Sequence, residues 1–300
     1  MRGIVSAIKR MEIHDGDGTR TTVFLKGCPL KCIWCHNPES IGFGCQLAHF
    51  SEKCISCGAC VAVCPQKAIS WIDESLTIDR ARCVGCGRCA DECPTGAMKL
   101  YGREYEADEL VNKVACDKPF FDRSGGGVTL SGGECLSQAD FAVELARLFC
   151  ERGIRVNVDT SGQTDRAVLD HILPYTDTFL YDVKAYDAEV HRRCTGHTNE
   201  RILDNLRYLS EVGARIEIRY PLVTGYNSDE CHAIGAFLKD LKGITKIKVL
   251  QYHPFAVSRY EALGMPCAMP DTQTSVADVQ RAVDILCEYG LNAINGARDD

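Results

Sequence analysis

Short runs of apolar residues alternate with longer amphipathic segments along most of this 300-residue chain. The apolar runs are rich in Val and Ile and end near Gly, Pro or Asn, which predicts strands, and helical periodicity lies between them. Strands are predicted at residues 21–26, 127–130, 155–159, 178–184, 215–221 and 246–252. Helices are predicted at residues 138–151, 165–173, 199–211, 229–241 and 275–289.

This alternation of strands and helices indicates parallel strand–helix–strand units. Six predicted strands favour an α/β fold built as a partial, open (βα)6 barrel of the TIM type. A doubly wound sheet is the alternative. In either architecture, ligands bind at the carboxyl ends of the strands.

Residues 45–100 interrupt the alternation and are dense in Cys, Gly and Pro. They contain the spacing C-x2-C-x2-C-x3-C-P twice, and in two-cluster ferredoxins the fourth cysteine of each such run binds the other cluster. The predicted ligands are Cys54, Cys57, Cys60 and Cys93 for one [4Fe–4S] cluster, and Cys83, Cys86, Cys89 and Cys64 for the second. We therefore predict a bacterial ferredoxin-like insert at 45–100 within a barrel formed by 1–44 and 101–300. A pair of structural zinc sites is the less specific alternative.

Composition and charge limit the cellular compartment and the classes of partner that are expected for this chain. A disulfide scaffold fits the 19 cysteines poorly, because such scaffolds are usually small and secreted. The net charge of −7 offers no basic field to attract nucleic acid. The chain has no apolar run of membrane-spanning length, and its first residues lack the apolar core of a signal peptide. A cytoplasmic protein without a membrane or nucleic-acid partner is expected.

A separate cysteine triplet precedes the insert. Cys28, Cys32 and Cys35 have the spacing C-x3-C-x2-C, which offers three thiolates where a four-iron cluster has four metal positions. One iron would stay open, and an open coordination site marks a working metal centre. The alternative is a cluster closed by a fourth cysteine such as Cys45.

The triplet resembles the signature of the radical S-adenosylmethionine (SAM) superfamily. The stretches DGDGTR at 15–20, FLKGC at 24–28 and CHNPES at 35–40 resemble, more narrowly, the activating enzymes of glycyl radical enzymes. Pyruvate formate-lyase activase is the best-known member, and most other members have a ferredoxin-like insert after the triplet. Two positions depart from the family pattern, since Asp17 and Cys135 stand where proline is usual.

The resemblance implies an oxidoreductase whose triplet cluster binds SAM and cleaves it reductively to methionine and a 5′-deoxyadenosyl radical. That radical would take a hydrogen atom from one glycine of a partner protein, a glycyl radical enzyme, under anaerobic conditions. Flavodoxin or ferredoxin would supply electrons, and the two insert clusters are predicted to relay them. The cofactors implied are three [4Fe–4S] clusters and SAM, with no catalytic residue beyond the SAM-bound cluster.

The resemblance also implies a SAM pocket at the strand ends. SAM carries a carboxylate, which suits Lys184 and Arg219, and an ammonium, which suits Glu134 and Asp182. A monovalent cation is implied beside Asp159 and Thr160, and Trp34 and His36 are expected near the cluster or the adenine. The full set of predicted SAM contacts is Gly132, Gly133, Glu134, Asp159, Asp182, Lys184, Arg219 and His253.

Other activities fit the sequence less well. A sulfatase-maturing radical SAM enzyme would have its extra cluster cysteines in a C-terminal extension, where only Cys267 and Cys287 occur here. The activase of anaerobic ribonucleotide reductase lacks the insert, and a non-catalytic electron-transfer protein leaves the triplet unexplained. Most of the scattered cysteines are expected to be small core residues. They are Cys116, Cys135, Cys150, Cys194, Cys231, Cys267 and Cys287.

Overall fold

The computed structural model describes residues 1–296. The strands are β1 (Arg2–Glu12), β2 (Arg20–Leu25), β3 (Gln46–His49), β4 (Ile69–Ile72), β5 (Ser75–Ile78), β6 (Met98–Tyr101), β7 (Arg103–Glu106), β8 (Gly127–Gly132), β9 (Arg155–Thr160), β10 (Thr178–Asp182), β11 (Ile216–Leu222), β12 (Ile244–Gln251) and β13 (Ala293–Asn295). The helices are α1 (Ala59–Ala62), α2 (Arg88–Asp91), α3 (Ala107–Ala115), α4 (Lys118–Ser124), α5 (Ala139–Glu151), α6 (Arg166–Ile172), α7 (Ala188–Thr195), α8 (Glu200–Glu211), α9 (Cys231–Leu238), α10 (Val257–Leu263) and α11 (Val276–Glu288).

One large sheet has the strand order β13-β12-β11-β10-β9-β8-β2-β1-β7. Every pair from β2 to β13 is parallel, whereas β1 is antiparallel to both of its neighbours. The parallel strands follow one another in chain order, so the sheet has no switch point of the doubly wound kind. This order is consistent with a partial barrel, open between β7 and β13.

The two faces of this sheet differ in chemistry because successive side chains of a strand point to opposite faces. In β9, Val156 and Val158 are fully buried in the main core together with residues of the flanking helices, such as Leu145 and Leu206. Between those two valines, Asn157 is also buried but polar, as are Thr129, Glu217 and Lys248 on neighbouring strands. The helices therefore cover an apolar face, and the concave face is left for polar groups.

All six predicted strands are present, and each begins and ends within two residues of its predicted bounds. The five predicted helices are also present, with ends that differ by at most three residues from the prediction. The parallel part of the sheet has seven strands rather than six, because β13 adds a three-residue strand too short to give a periodic signal. The pattern also missed β1 and β7. In β1 the alternation is weak, since several successive residues are half-buried or exposed.

Residues 46–101 form two small antiparallel sheets apart from the large one, β3 with β6 and β4 with β5. The short helices α1 and α2 each start after a glycine in the left-handed conformation, Gly58 at φ 76° and Gly87 at φ 82°. Such φ values are costly for other residues, which explains the repeated glycine. Leu47, Ile69 and Met98 form a separate core here with cysteines of both runs.

The expectation that most scattered cysteines are core residues is wrong. Cys135, Cys194 and Cys231 are buried, whereas Cys116, Cys150, Cys267 and Cys287 are exposed. The four exposed cysteines lie at the ends of helices or in a loop, where side chains face solvent. Among residues 1–296, no helix is both long and apolar enough to cross a membrane.

Candidate active site at the carboxyl ends of the strands

The cysteine triplet lies in the loop that follows β2, a strand whose six residues are all buried. Backbone hydrogen bonds fix this loop at both ends and in its middle. The amide of Cys28 donates to Ile41 O at 3.0 Å, and the amides of Lys31 and Ile33 donate to the carbonyls of Thr195 and Cys194, at 2.8 and 2.9 Å. The carboxyl end of α7 thus supports the triplet from behind.

The three thiols border one cavity of about 410 Å³. Burial raises the pKa of the Cys28, Cys32 and Cys35 thiols above the ordinary cysteine value. Thiolates in such a place need a positive charge beside them, as an iron cluster provides. The donor set therefore fits a metal cluster, and Cys45 does not line this cavity.

The strand ends supply the opposite wall of the cavity. Gly132, Gly133, Asp159, Asp182, Lys184, Arg219 and His253 all line it, together with Trp34, His36 and Thr160. Seven of the eight predicted SAM contacts are therefore brought together with the triplet, since parallel strands end at the same edge of a sheet.

Arg219 lies at the centre of a buried charge network. Its Nη1 is 3.4 Å from the Asp159 carboxylate, and its Nη2 donates to His14 O at 3.0 Å and lies 3.3 Å from Asp15. Burial alone would lower the pKa of Arg219, but the carboxylates of Asp159 and Asp15 raise it above its usual range. The guanidinium stays charged and is held in one orientation.

Asp159 itself is held between two donors. Ser131 Oγ donates to its carboxylate at 2.6 Å, and Arg219 is the second partner. Burial raises the pKa of this carboxyl group, while Arg219 opposes that shift. A cationic ligand in the cavity would therefore favour the ionised form of Asp159.

Asp182 and Lys184 form an ion pair with each other. Burial would lower the pKa of Lys184, but Asp182 raises it above its ordinary value. From the sequence, Lys184 was expected to bind the SAM carboxylate and Asp182 the SAM ammonium. In the structure the two groups neutralise each other, and both still face the cavity.

Glu134 is the predicted contact that the structure does not bring into the cavity. Its side chain is buried, and its carboxylate accepts hydrogen bonds from Thr160 Oγ1 at 2.7 Å, Ser161 N at 2.8 Å and Ser161 Oγ at 2.6 Å. A fourth bond comes from Leu136 N at 3.2 Å. Glu134 therefore ties the loop after β8 to the loop after β9, which shapes the wall from behind.

The glycines before Glu134 have a packing role. A Cβ on Gly133 would lie 2.5 Å from both Gly27 O and Ser40 O, and one on Gly132 would lie 2.1 Å from Leu25 O. Contacts that short are impossible, so only glycine lets this loop approach the start of the triplet loop.

Aromatic rings form the side of the cavity near Cys35. The His36 and His253 rings have centroids 4.6 Å apart, and His253 stacks on Phe255 at 4.0 Å. His36 Nε2 and His253 O are 2.8 Å apart. Trp34 is buried in a small cluster with Tyr252, against which Cys32 of the triplet also packs.

The two departures from the family pattern have clear structural roles. Asp17 forms ion pairs with Arg215 at 2.9 Å and Lys246 at 3.1 Å. Cys135 is buried, and its thiol donates to Asp159 O at 3.4 Å. Each departure thus ties a loop of the site to a neighbouring strand.

The insert cysteines surround two smaller cavities of about 20 Å³ each. Cys64, Cys83, Cys86 and Cys89 line one of them, and Cys54, Cys57, Cys60 and Cys93 line the other. Each cavity thus has three cysteines of one run and the fourth cysteine of the other run.

Comparison with known proteins agrees with this geometry. Residues 22–238 match the family model described as the radical SAM superfamily. A Clostridioides difficile protein named trans-4-hydroxy-L-proline dehydratase activating enzyme is 42% identical over 88% of each chain. This chain belongs to the radical SAM superfamily and, within it, to the activating enzymes of glycyl radical enzymes. The family predicted from the sequence is confirmed.

Further relatives extend the match over the whole chain. The Klebsiella oxytoca (2S)-3-sulfopropanediol dehydratase activating enzyme is 35% identical, over 99% of this chain and 98% of that one. The crystal structure of Streptococcus suis SuiB bound to S-adenosylmethionine superposes with a TM-score of 0.51 at 17% identity. It covers 64% of this chain and 43% of that one, and it shares the fold.

Sequence reasoning gave no role to several side chains that hold the site. Asp15 and Ser131 position Arg219 and Asp159, as described above. Arg259 Nη1 donates to His36 O at 2.8 Å, and Tyr260 Oη donates to Cys35 O at 3.1 Å. A signal existed for the first two, because Asp15 lies inside the stretch DGDGTR and Ser131 directly precedes the predicted contact Gly132. Arg259 and Tyr260 approach from a helix more than 220 residues away in sequence, and no local pattern indicates them.

Proposed function

We propose that this activase binds SAM in the cavity between the triplet loop and the strand ends, and that it oxidises one glycine of a partner enzyme. The observation that carries this proposal is the single cavity lined by three cysteines and by the charged ends of successive strands. The cavity has room for a small-molecule ligand, and both acidic and basic side chains line it.

Cys28, Cys32 and Cys35 are the residues that would hold a [4Fe–4S] cluster with one iron free for SAM. When bound, this cluster supplies the electron that cleaves SAM into methionine and a 5′-deoxyadenosyl radical. That radical would take a hydrogen atom from the glycine Cα, which would give 5′-deoxyadenosine and the glycyl radical. These steps require no proton donor or nucleophile from the chain, and the residues that line the cavity act by binding and orientation.

Unsatisfied polar atoms support the assignment of the SAM contacts. Within residues 1–296, Arg219 Nε and His253 Nδ1 are buried and have no hydrogen-bond partner. A buried donor without a partner costs about 1–3 kcal/mol, so a ligand oxygen at Arg219 would recover that energy. We assign Arg219 and Lys184 to the SAM carboxylate and ribose, and His253 to the adenine side.

The ammonium of SAM requires acceptors, and Glu134 is already engaged with Thr160 and Ser161. We assign the ammonium to Asp182 and to the backbone of Gly132 and Gly133. The proposed cation beside Asp159 and Thr160 stays a prediction. The Thr160 hydroxyl already donates to Glu134 and accepts from Gly162 N at 2.9 Å.

The insert is proposed to hold two further [4Fe–4S] clusters, with the ligand sets predicted from the sequence. Support comes from the two cavities, each of which is bordered by one of these sets of four cysteines. We propose that these clusters relay electrons from flavodoxin or ferredoxin to the triplet cluster. Clusters held by thiolates suit the reducing cytoplasm, where we place this protein.

Phe255 is proposed to contact the glycine-bearing segment of the partner. Its side chain is 74% exposed, yet it stacks on His253, which lines the cavity. A large exposed ring at the rim of a reaction cavity is a favourable anchor for a protein partner.

The test is an electron paramagnetic resonance measurement with a glycyl radical enzyme as substrate. Trans-4-hydroxy-L-proline dehydratase is the first partner to try, because the 42% identical relative is named for activating it. Reduced, cluster-loaded protein with SAM should produce a glycyl radical doublet and one 5′-deoxyadenosine per radical. Formation of 5′-deoxyadenosine without a glycyl radical would reject this partner. If the protein formed neither 5′-deoxyadenosine nor a radical with any glycyl radical enzyme tested, the proposed function would be rejected.

A further inference from the structure

A second groove, of about 340 Å³, lies along β1 and β7, the two strands at one end of the large sheet. Arg10, Arg103 and Lys113 line it, and no acidic residue is among the residues that line it in the described part of the chain. The chain as a whole carries a net charge of −7. The groove is therefore positively charged, although the net charge of the chain is negative.

The groove exists because β7 covers only part of β1. The pairing of these two strands runs from Arg2 to Val5 of β1, and Val5 is opposite Arg103, the first residue of β7. The following residues of β1 border the groove instead of a strand. An open sheet edge with cationic side chains is a surface that repels self-association and remains accessible to a different partner.

The cations are arranged around one tyrosine. The Arg103 guanidinium and Lys113 Nζ lie over the Tyr105 ring, 5.2 and 5.4 Å from its centroid, and Lys113 Nζ is 3.3 Å from Tyr105 Oη. Arg10 is paired with the buried Asp117 at 3.1 Å. The acidic residues of β7 alternate with Arg103 and Tyr105, so they lie on the other face of the strand.

The inner end of the groove meets the insert. Leu100 lines both the groove and the cavity bordered by Cys64, Cys83, Cys86 and Cys89. A second connection runs through Cys45, which lies 3.1 Å from a Cβ placed on Gly102 in the groove and 3.0 Å from one placed on Gly85 between two of those cysteines. The cationic groove therefore adjoins the cavity of that cysteine set at Leu100.

We propose that this groove is the docking site of a small acidic electron-carrier protein, which delivers electrons to the cluster held by Cys64, Cys83, Cys86 and Cys89. The proposal rests on the proposed function of the insert. Charge complementarity favours this occupant, since it accelerates encounter without requiring a large buried area. Interfaces of redox partners are small and transient, which matches a groove of this size.

The glycyl radical enzyme is the competing occupant, and the adjacent cysteine set argues against it. Its glycine must reach the SAM cavity, which shares no lining residue with the groove within residues 1–296. An electron donor, in contrast, needs to approach only the insert.

The test measures binding of an oxidised flavodoxin of strongly negative net charge to the cluster-loaded protein. The double variant Arg103→Glu with Lys113→Glu should weaken binding at low ionic strength by tenfold or more, within the range expected for electrostatic steering. The matched control is Lys239→Glu, a charge reversal at the exposed end of α9. Wild-type affinity should fall with added salt, and that salt dependence should be weaker in the double variant.

Two further measurements make the result decisive. The neutral pair Arg103→Gln with Lys113→Gln should show an intermediate loss, which guards against misfolding of the charge-reversed protein. With dithionite in place of flavodoxin, all variants should form glycyl radical at the wild-type rate. Unchanged flavodoxin affinity in both double variants would overturn the proposal. It would also be overturned if the double variants lost as much activation with dithionite as they lost with flavodoxin. Loss of SAM cleavage by the wild-type protein with dithionite would instead reject the proposed function, while flavodoxin binding would still be measurable.

Discussion

The triplet loop and the insert runs both concentrate cysteines, but their surroundings differ. The triplet borders a cavity of about 410 Å³ with charged strand ends on its other side. Each insert set of four cysteines encloses about 20 Å³, among residues that are mostly apolar or small. Three ligands beside a large polar cavity suit a centre that binds a substrate, whereas four ligands with no charged side chain among the described residues around them suit a closed electron-transfer cluster.

The largest effect is expected from Arg219→Gln, which leaves Asp159 and Asp15 without their buried cation. Truncating one member of a buried charge pair costs about 2–5 kcal/mol, so SAM affinity should fall about a hundredfold. Isothermal titration of SAM into the loaded protein checks this. The control is Arg215→Gln, which removes a more exposed guanidinium from Asp17. Equal losses in both variants would show that Arg219 only supports the fold.

A smaller effect, of about tenfold, is expected from Cys86→Ala in the insert. If the insert only relays electrons, multiple turnover should slow because the triplet cluster is reduced more slowly. A single turnover by pre-reduced protein should be unchanged. The exposed Cys116→Ala is the matched control, and 5′-deoxyadenosine is the readout for both regimes. An equal loss in single and multiple turnover would remove the functional distinction between the two cysteine regions.

We predict that acid lowers the stability of the protein through a histidine in α7, the helix that supports the triplet loop. His191 lies in α7, whose carboxyl end holds the triplet loop, and burial lowers its pKa to about 4. The unfolded value is about 6.5, so stability is complete above that pH and falls as the pH drops toward 4, by at most about 1.4 kcal/mol per unit.

Denaturant unfolding between pH 7 and 5 measures this slope. His191→Asn should flatten the slope, because it removes the group that must take up a proton. The insert residue His49 provides the comparison: burial lowers its pKa too, but it is only half-buried, so His49→Asn should flatten the slope less than His191→Asn. An identical slope in wild type and His191→Asn would contradict the assignment.

The smallest effect is expected from Asp17→Asn. Its two ion pairs are partly exposed, and such pairs contribute about 1 kcal/mol or less to the free energy of unfolding. Thermal unfolding at low and high salt measures the contribution, which should vanish at high salt. A loss of several kcal/mol would mean that the loop carrying Asp15 depends on Asp17.

The spacing of the cysteines predicted the ligand sets, the apolar pattern predicted the six strands, and the family resemblance implied eight SAM contacts, of which seven line the cavity. These signals are short in range, or repeat from one strand end to the next. The role predicted for Glu134, binding the SAM ammonium, does not match the structure, because its carboxylate is occupied by hydroxyls and an amide that lie 26 and 27 residues away. The contact of Asp15 with Arg219 spans 204 residues, and only the folded sheet reveals it.

The central claim is that the triplet, and not the insert, is where SAM is cleaved. Single-turnover 5′-deoxyadenosine formation by pre-reduced wild-type protein and by Cys32→Ala tests it directly. We predict product from the wild-type protein and none above background from Cys32→Ala, with iron still bound at the insert. Equal amounts of 5′-deoxyadenosine from both proteins would contradict the assignment.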